Sequence, residues 1–244
     1  MKYTQTFTLT DLDVDCFCNL KLSSLLFYAQ EVAGKHSALL GADYDALAKK
    51  NLFWAVSRHK VQITRLPRLG ETITVDTWPM PTTKVAYPRA LAAYDAQGNE
   101  LFRSISIWVL MDLESRAMVL PGKSGVEVAG WLAGNELTTP HSIVPKALQN
   151  SAQRTVTYSC LDRNGHMNNT RYLDWVNDLL PSSFHKEHTP KELVICYANE
   201  ALETQVLNLD WDITEEGCLQ VDAHLKNTDV SGKKHRVFSA QILF

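Results

Sequence analysis

The stretch Leu161-Asp162-Arg163-Asn164-Gly165-His166-Met167-Asn168-Asn169-Thr170-Arg171-Tyr172-Leu173-Asp174-Trp175 runs from turn-forming residues into an amphipathic helical pattern. Asp162, Asn164 and His166 occupy alternate positions, and alternate residues of an extended segment point to one side. Read that way, a carboxylate, an amide and an imidazole are offered to one place just ahead of a helix. A fainter version lies near the start of the chain, where Leu12-Asp13-Val14-Asp15-Cys16-Phe17-Cys18-Asn19 leads into an apolar-periodic run from Leu22 to Leu40. Sliding one onto the other sets Asp13 on Asp162, Asp15 on Asn164, Phe17 on His166 and Asn19 on Asn168, an offset of 149 residues. Self-similarity over such a distance indicates a duplicated domain rather than a short-repeat solenoid.

The segments after each helix are also alike. After the first, strand-like segments cover Phe53 to Ile63, Glu71 to Trp78, Ala86 to Tyr94 and Leu101 to Met111. They alternate apolar and polar residues and are rich in Val, Ile, Thr and Trp. Turn signals separate them at Pro67-Arg68-Leu69-Gly70, Pro79-Met80-Pro81 and Asp95-Ala96-Gln97-Gly98-Asn99. After the second helix (Tyr172 to Leu180), strands are expected over Leu193 to Ala198, Ala201 to Asp212, Cys218 to Asn227 and His235 to Phe244. Turns fall at Glu215-Glu216-Gly217 and Asp229-Val230-Ser231-Gly232-Lys233.

A helix with one apolar stripe needs a sheet face to cover it. The fold class expected is therefore α+β: two tandem hotdog domains, each a long helix wrapped by an antiparallel β-sheet. The boundaries are an N-terminal domain over 1–125, a connector over 126–149 and a C-terminal domain over 150–244. The segment from about Pro121 to Gln149 carries Gly122, Gly125, Gly130, Gly134, Pro140 and Pro145 and has weaker periodicity.

Composition narrows the function classes. At 244 residues, 45% hydrophobic and 21% charged, the chain has enough apolar content for a real core. A net charge of -3 gives no general reason to expect nucleic acid or a membrane surface as partner. No basic region followed by an apolar run opens the chain, and no apolar stretch approaches transmembrane length. Cys16, Cys18, Cys160, Cys196 and Cys218 lack metal-type spacing and read as reduced thiols of a cytoplasmic protein. No Gly-x-Ser-x-Gly elbow and no His-Glu-x-x-His motif is present, which disfavours a serine hydrolase and a zinc hydrolase. The nearest metal-like grouping, His185-Lys186-Glu187-His188, sits in a Pro- and Ser-flanked segment expected to be a solvated loop.

Two readings of the central stretch compete. Asp and Asn ahead of a helix satisfy its orphan N–H groups, and Asn168 or Asn169 suffices for that. Capping leaves the histidine unexplained. An imidazole sharing a face with a carboxylate is an oriented general base, because the carboxylate fixes the tautomer and stabilises imidazolium. Only the second copy has the imidazole, so one active site per chain is expected, with the first copy lining a cavity.

Here the chain resembles the acyl-acyl-carrier-protein thioesterases of bacteria and plant plastids. The resemblance rests on Asp162-x-Asn164-x-His166-x-Asn168-Asn169-x-x-Tyr172-x-x-Trp175, Val75-Asp76-Thr77-Trp78 and Ile107-Trp108-Val109-Leu110-Met111, in order along the whole chain. It implies a fourth catalytic residue after the next strand, where Glu200 stands. Some relatives carry a cysteine after that glutamate; here it is Ala201, which argues against a thiol nucleophile.

The resemblance further implies hydrolysis of a fatty-acyl thioester held on the phosphopantetheine of an acyl carrier protein, without metal or other cofactor. Catalysis would fall to Asp162, Asn164, His166 and Glu200, with oxyanion stabilisation at the helix start. Asp162 stays open between orienter of His166 and nucleophile. Leu25, Tyr28, Trp54 and Trp78 are the substrate-binding candidates for the acyl chain. Recruiting an acidic carrier protein to a net-negative chain needs a local basic patch. Arg58, Lys60, Arg65, Arg68, Lys84, Arg89, Arg163, Arg171 and Lys191 are the candidates. An acyl-CoA thioesterase of the same fold and a non-catalytic acyl-binding module are the alternatives, and a homodimer is compatible with either.

Overall fold

The computed structural model describes residues 1–133, 137–227 and 235–244. Packing divides the chain into two units, Met1–Pro140 and His141–Phe244. The division falls inside the segment read as a connector.

In the first unit the order is β1 (Tyr3–Thr8), α1 (Leu22–Leu39), α2 (Tyr44–Ala48), β2 (Leu52–Ile63), β3 (Thr72–Pro79), β4 (Tyr87–Tyr94), β5 (Glu100–Asp112), β6 (Met118–Val119) and α3 (Pro121–Ser124). The strands pair antiparallel in the order β1-β3-β4-β5-β2, with β6 added to β5. Along α1 the buried positions Leu22, Leu25, Leu26, Ala29, Val32, Ala33 and His36 follow helical spacing and form one stripe. That stripe packs on β1 and β3, where the Phe7 ring lies tilted against Tyr28 at 4.4 Å and Tyr3 stacks on His36 at 5.9 Å. Gly41, at φ +70, ends the helix in the left-handed conformation that favours glycine.

In the second unit the order is β7 (Asn150–Thr155), a 3₁₀ turn (Tyr158–Cys160), α4 (Arg171–Asn177), α5 (Ser182–Glu187), β8 (Glu192–Tyr197), β9 (Val206–Ile213), β10 (Cys218–Leu225) and β11 (Arg236–Leu243). The sheet order β8-β11-β10-β9-β7 repeats that of the first unit strand for strand. Each unit is a hotdog.

Three expectations need correction. The second helix is not long: α4 has 7 residues and a separate α5 begins after Pro181, whose ring excludes a continuous helix there. The His185–His188 segment is thus largely helical. His185 Nε2 lies 2.9 Å from the Asn177 carbonyl, and His188 stacks on Phe184 at 4.0 Å. The strand expected from Ala201 begins only at Val206, because Ala201–Gln205 forms a turn with Thr204 at φ +69. The turn expected at Asp229–Lys233 and Gly134 lie outside the described residues.

The sheet of the first unit buries several polar side chains. His59 on β2 sits beside Ser104, Nε2 to Oγ 3.0 Å, and burial pushes its imidazole down to about 4. His36 is pushed to about 4 as well, by burial and then by the Arg89 charge. A ring that stays neutral when folded but gains a proton when unfolded stabilises the fold above its unfolded pKa near 6.5. That contribution is lost as pH falls toward the folded value. For His59 the loss amounts to about 3 kcal/mol. Urea denaturation between pH 7 and pH 4 should therefore show falling stability, and His59→Gln should flatten part of that slope. An unchanged slope in the variant would remove His59 from the explanation.

Candidate active site

Residues 161–167 do not run extended. Leu161 bridges Met167, and the chain between them closes as a turn. The Asp162 N–H donates to the His166 carbonyl (2.8 Å), and the Gly165 N–H donates to the Asp162 carbonyl (3.0 Å). Gly165 sits at φ +77, in the left-handed region. The Asp162 carboxylate anchors the turn from within: its Oδ1 accepts the N–H groups of Asn164 (2.8 Å) and His166 (3.3 Å). The Asn164 amide nitrogen lies 3.4 Å from Oδ2, a loose contact. A turn rather than strand alternation therefore brings these residues together.

The first unit repeats this turn bond for bond, in a register that differs from the sequence comparison. Val14 bridges Leu20, Asp15 N–H donates to Asn19 O, and Cys18 N–H donates to Asp15 O. Asp15 Oδ1 accepts the N–H groups of Phe17 and Asn19, each at 2.9 Å, and Cys18 takes the positive φ at +63. The structural offset is 147, not 149: Asp15 corresponds to Asp162, Phe17 to Asn164, Cys18 to Gly165 and Asn19 to His166. The carboxylate is common to both copies; the imidazole is not.

Glu200 joins the site from the neighbouring segment. Met167 N–H donates to the Ala201 carbonyl at 2.8 Å, and His166 bridges Leu202. This places Glu200 Oε2 3.3 Å from His166 Nε2. The ring is 14% exposed and the carboxylate 41%, so the pair opens to solvent on the carboxylate side. The first unit again has the same backbone bonds: Leu20 N–H to Pro67 O, and Asn19 bridged to Arg68. Leu66 stands where Glu200 does.

Past the turn, Asn168 Oδ1 accepts the N–H and hydroxyl of Thr170, both at 2.9 Å, and Asn168 O accepts the Arg171 N–H. Asn168 thus ties down Thr170, the residue that precedes the helix, whose own side chain makes no capping bond to the helix. The backbone donors expected to form an oxyanion site at the helix start are largely occupied: Asn168 N–H also has a partner, Cys160 O.

Sequence reading missed the support behind these groups. The Tyr197 hydroxyl donates to the Asn169 carbonyl at 2.8 Å, and Tyr172 fills the space between, edge-on to Tyr197 at 5.7 Å and against Phe238 at 4.8 Å. Tyr197 reads in sequence as an ordinary strand aromatic. Only the pairing of β8 with β11 shows what it reaches.

The four acyl-chain candidates occupy different places in the first unit. Leu25 and Tyr28 lie on the buried stripe of α1. Trp54 packs edge-on to Tyr87 at 4.9 Å with its Nε1–H on Ala42 O. Trp78 clusters instead with Ala90 and Ala92, under the Lys2 ammonium at 4.6 Å. Of the basic candidates, Arg65 is held bidentate by Glu71 at 2.7 and 2.8 Å, and Arg171 by Asp174 at 3.3 Å. Arg89 turns to His36 and Thr77, and burial lowers its guanidinium to about 10. These three are poor recruits for a docking patch.

Residues 1–120 match the family model of the acyl-ACP thioesterase N-terminal domain, and residues 145–241 that of the acyl-ACP thioesterase C-terminal domain. The chain belongs to the acyl-ACP thioesterase family. Among its relatives, the chloroplastic palmitoyl-acyl carrier protein thioesterases of Gossypium hirsutum and Arabidopsis thaliana are 27% and 26% identical over 220 residues. Those matches cover 84% of this chain and 53% of each relative. The chain thus spans about half the length of these curated relatives.

An acyl-ACP thioesterase structure from Bacteroides thetaiotaomicron superposes with a TM-score of 0.89 at 23% identity, covering 100% of this chain and 97% of that one. The 12:0-ACP thioesterase of Umbellularia californica gives 0.82 at 21% identity, covering 99% and 96%. At these identities the structures establish the shared double-hotdog fold of the acyl-ACP thioesterase family.

Proposed function

We propose that this member of the acyl-ACP thioesterase family hydrolyses fatty-acyl thioesters carried on an acyl carrier protein, releasing the free fatty acid. The observation that supports this best is the His166–Glu200 pair, 3.3 Å apart, on a turn whose counterpart in the first unit keeps the anchor but lacks both groups.

An imidazole that donates its Nε2–H to Glu200 presents Nδ1 as the basic nitrogen. His166 takes a proton from water as the water oxygen bonds to the thioester carbon, and Glu200 stabilises the resulting imidazolium. Asn164 donates to the oxygen that becomes negative. When the carbon–sulfur bond breaks, the imidazolium returns the proton to the departing sulfur. The products are a carboxylic acid and the carrier thiol. Asp162 is assigned to the turn: the same carboxylate makes the same backbone bonds at Asp15, where no imidazole stands.

Fatty-acid synthesis would be the setting, with an acyl carrier protein as partner and the cytoplasm as location. No helix among the described residues is long and apolar enough to cross a membrane. Turnover of matched acyl-carrier-protein and acyl-CoA substrates tests the reading. At least a tenfold higher kcat/KM on the carrier protein is expected. Equal or better turnover of the CoA ester would shift the assignment to an acyl-CoA thioesterase, and binding without turnover to an acyl-binding module.

A further inference from the structure

We propose that Tyr197 is a positioning residue, whose hydroxyl on the Asn169 carbonyl sets the spacing of the His166–Glu200 pair. This inference rests on the catalytic reading of that pair. Asn169 follows His166 by three residues and Tyr197 precedes Glu200 by three, so the 2.8 Å hydrogen bond ties together the same two segments that present the pair. On the other side of Glu200 lies a second tie, the Met167 N–H to Ala201 O bond at 2.8 Å. The Glu200 backbone is thus held on both sides, while its carboxylate remains partly solvated and would swing if that backbone shifted.

The phenol is itself confined. Tyr172 is 3% exposed and meets the Tyr197 ring edge-on at 5.7 Å, with Phe238 behind it at 4.8 Å. Burial pushes both phenols up, which keeps the Tyr197 hydroxyl in its protonated, donating form.

The first unit supplies the control. Thr64 and Arg65 N–H groups donate to Leu101 O as Ala198 and Asn199 N–H groups donate to Val237 O, which sets Ile63 opposite Tyr197. By the same backbone register, Leu22 corresponds to Asn169, Leu25 to Tyr172, Asn19 to His166 and Leu66 to Glu200. The turn and its ladder therefore close with Ile63 and Leu25, not tyrosines, at these two positions; the first unit's own phenol, Tyr28, reaches the Asp13 carboxylate instead. The tyrosines occur in the copy that has an imidazole and carboxylate to align.

Tyr197→Phe removes only the hydroxyl. On the full chain we expect kcat for a fatty-acyl carrier-protein substrate to fall about tenfold with KM within twofold. Glu200→Gln should then cost less in the Tyr197→Phe background than alone, because the two changes act on one pair. Independently of turnover, Glu200→Gln should move the His166 ring signal in a histidine-labelled NMR spectrum of the parent, and move it less when Tyr197 is phenylalanine.

Multiplicative losses, or an equal ring response in both backgrounds, would overturn the proposal. So would a loss of turnover matched by loss of folded protein in a thermal melt. If the parent itself hydrolyses no thioester, the catalytic reading fails, while the NMR comparison still decides whether Tyr197 sets the spacing.

Discussion

His166→Ala lowers kcat on a fatty-acyl carrier-protein substrate by about 10³-fold, within the range that positioned acid–base catalysis supplies. Both proton transfers in the proposed reaction pass through this ring: water is left without its base, and the departing sulfur without its acid. KM should change little, since the ring does not grip the acyl chain. The fold should persist, because Asn19 occupies the same position in the first unit and its turn closes with identical backbone bonds. Steady-state kinetics with a circular-dichroism melt measure both quantities. Near-parental turnover in a folded His166→Ala protein would refute the assignment.

The second large effect concerns the two anchoring carboxylates. Removing Asp162 leaves the N–H groups of Asn164 and His166 without their acceptor, at a cost of about 1–3 kcal/mol. Asp162→Ala should therefore lose stability and, because the released turn carries His166, at least 10²-fold in kcat. Asp15→Ala strips the same two bonds from the first unit and should cost a similar amount of stability with kcat held within about twofold. Denaturant melts and kinetics on the two variants form a matched pair. An Asp162→Ala protein as stable as the parent but inactive would give that carboxylate a direct chemical role instead.

Much of the fold was readable from local patterns. The strands expected from alternation, such as Phe53 to Ile63 and Leu101 to Met111, lie within a residue of their observed limits, because half-buried strands write their faces into the sequence. The duplication was readable too, but its register was not. Matching letters drew Asp13 onto Asp162, whereas hydrogen bonds set Asp15 there. The position that would have betrayed the register, the residue at positive φ, is Gly165 in one copy and Cys18 in the other, and a cysteine does not announce a left-handed turn. His166 could be picked out because an imidazole ahead of a helix is unusual. Its proximity to Glu200, and the tie from Tyr197 to Asn169, depend on pairings between segments distant in sequence, which no local pattern encodes.

The two turns also bear on protein engineering. Since they share a backbone and differ in what they display, the chain contains its own blank: a scaffold already shaped to hold an imidazole against a carboxylate, with Asn19 and Leu66 at those places. Installing histidine and glutamate there would ask whether a shaped backbone alone confers chemistry. The parent chain, with Asn19 and Leu66 in place, is the matched comparison for such a variant.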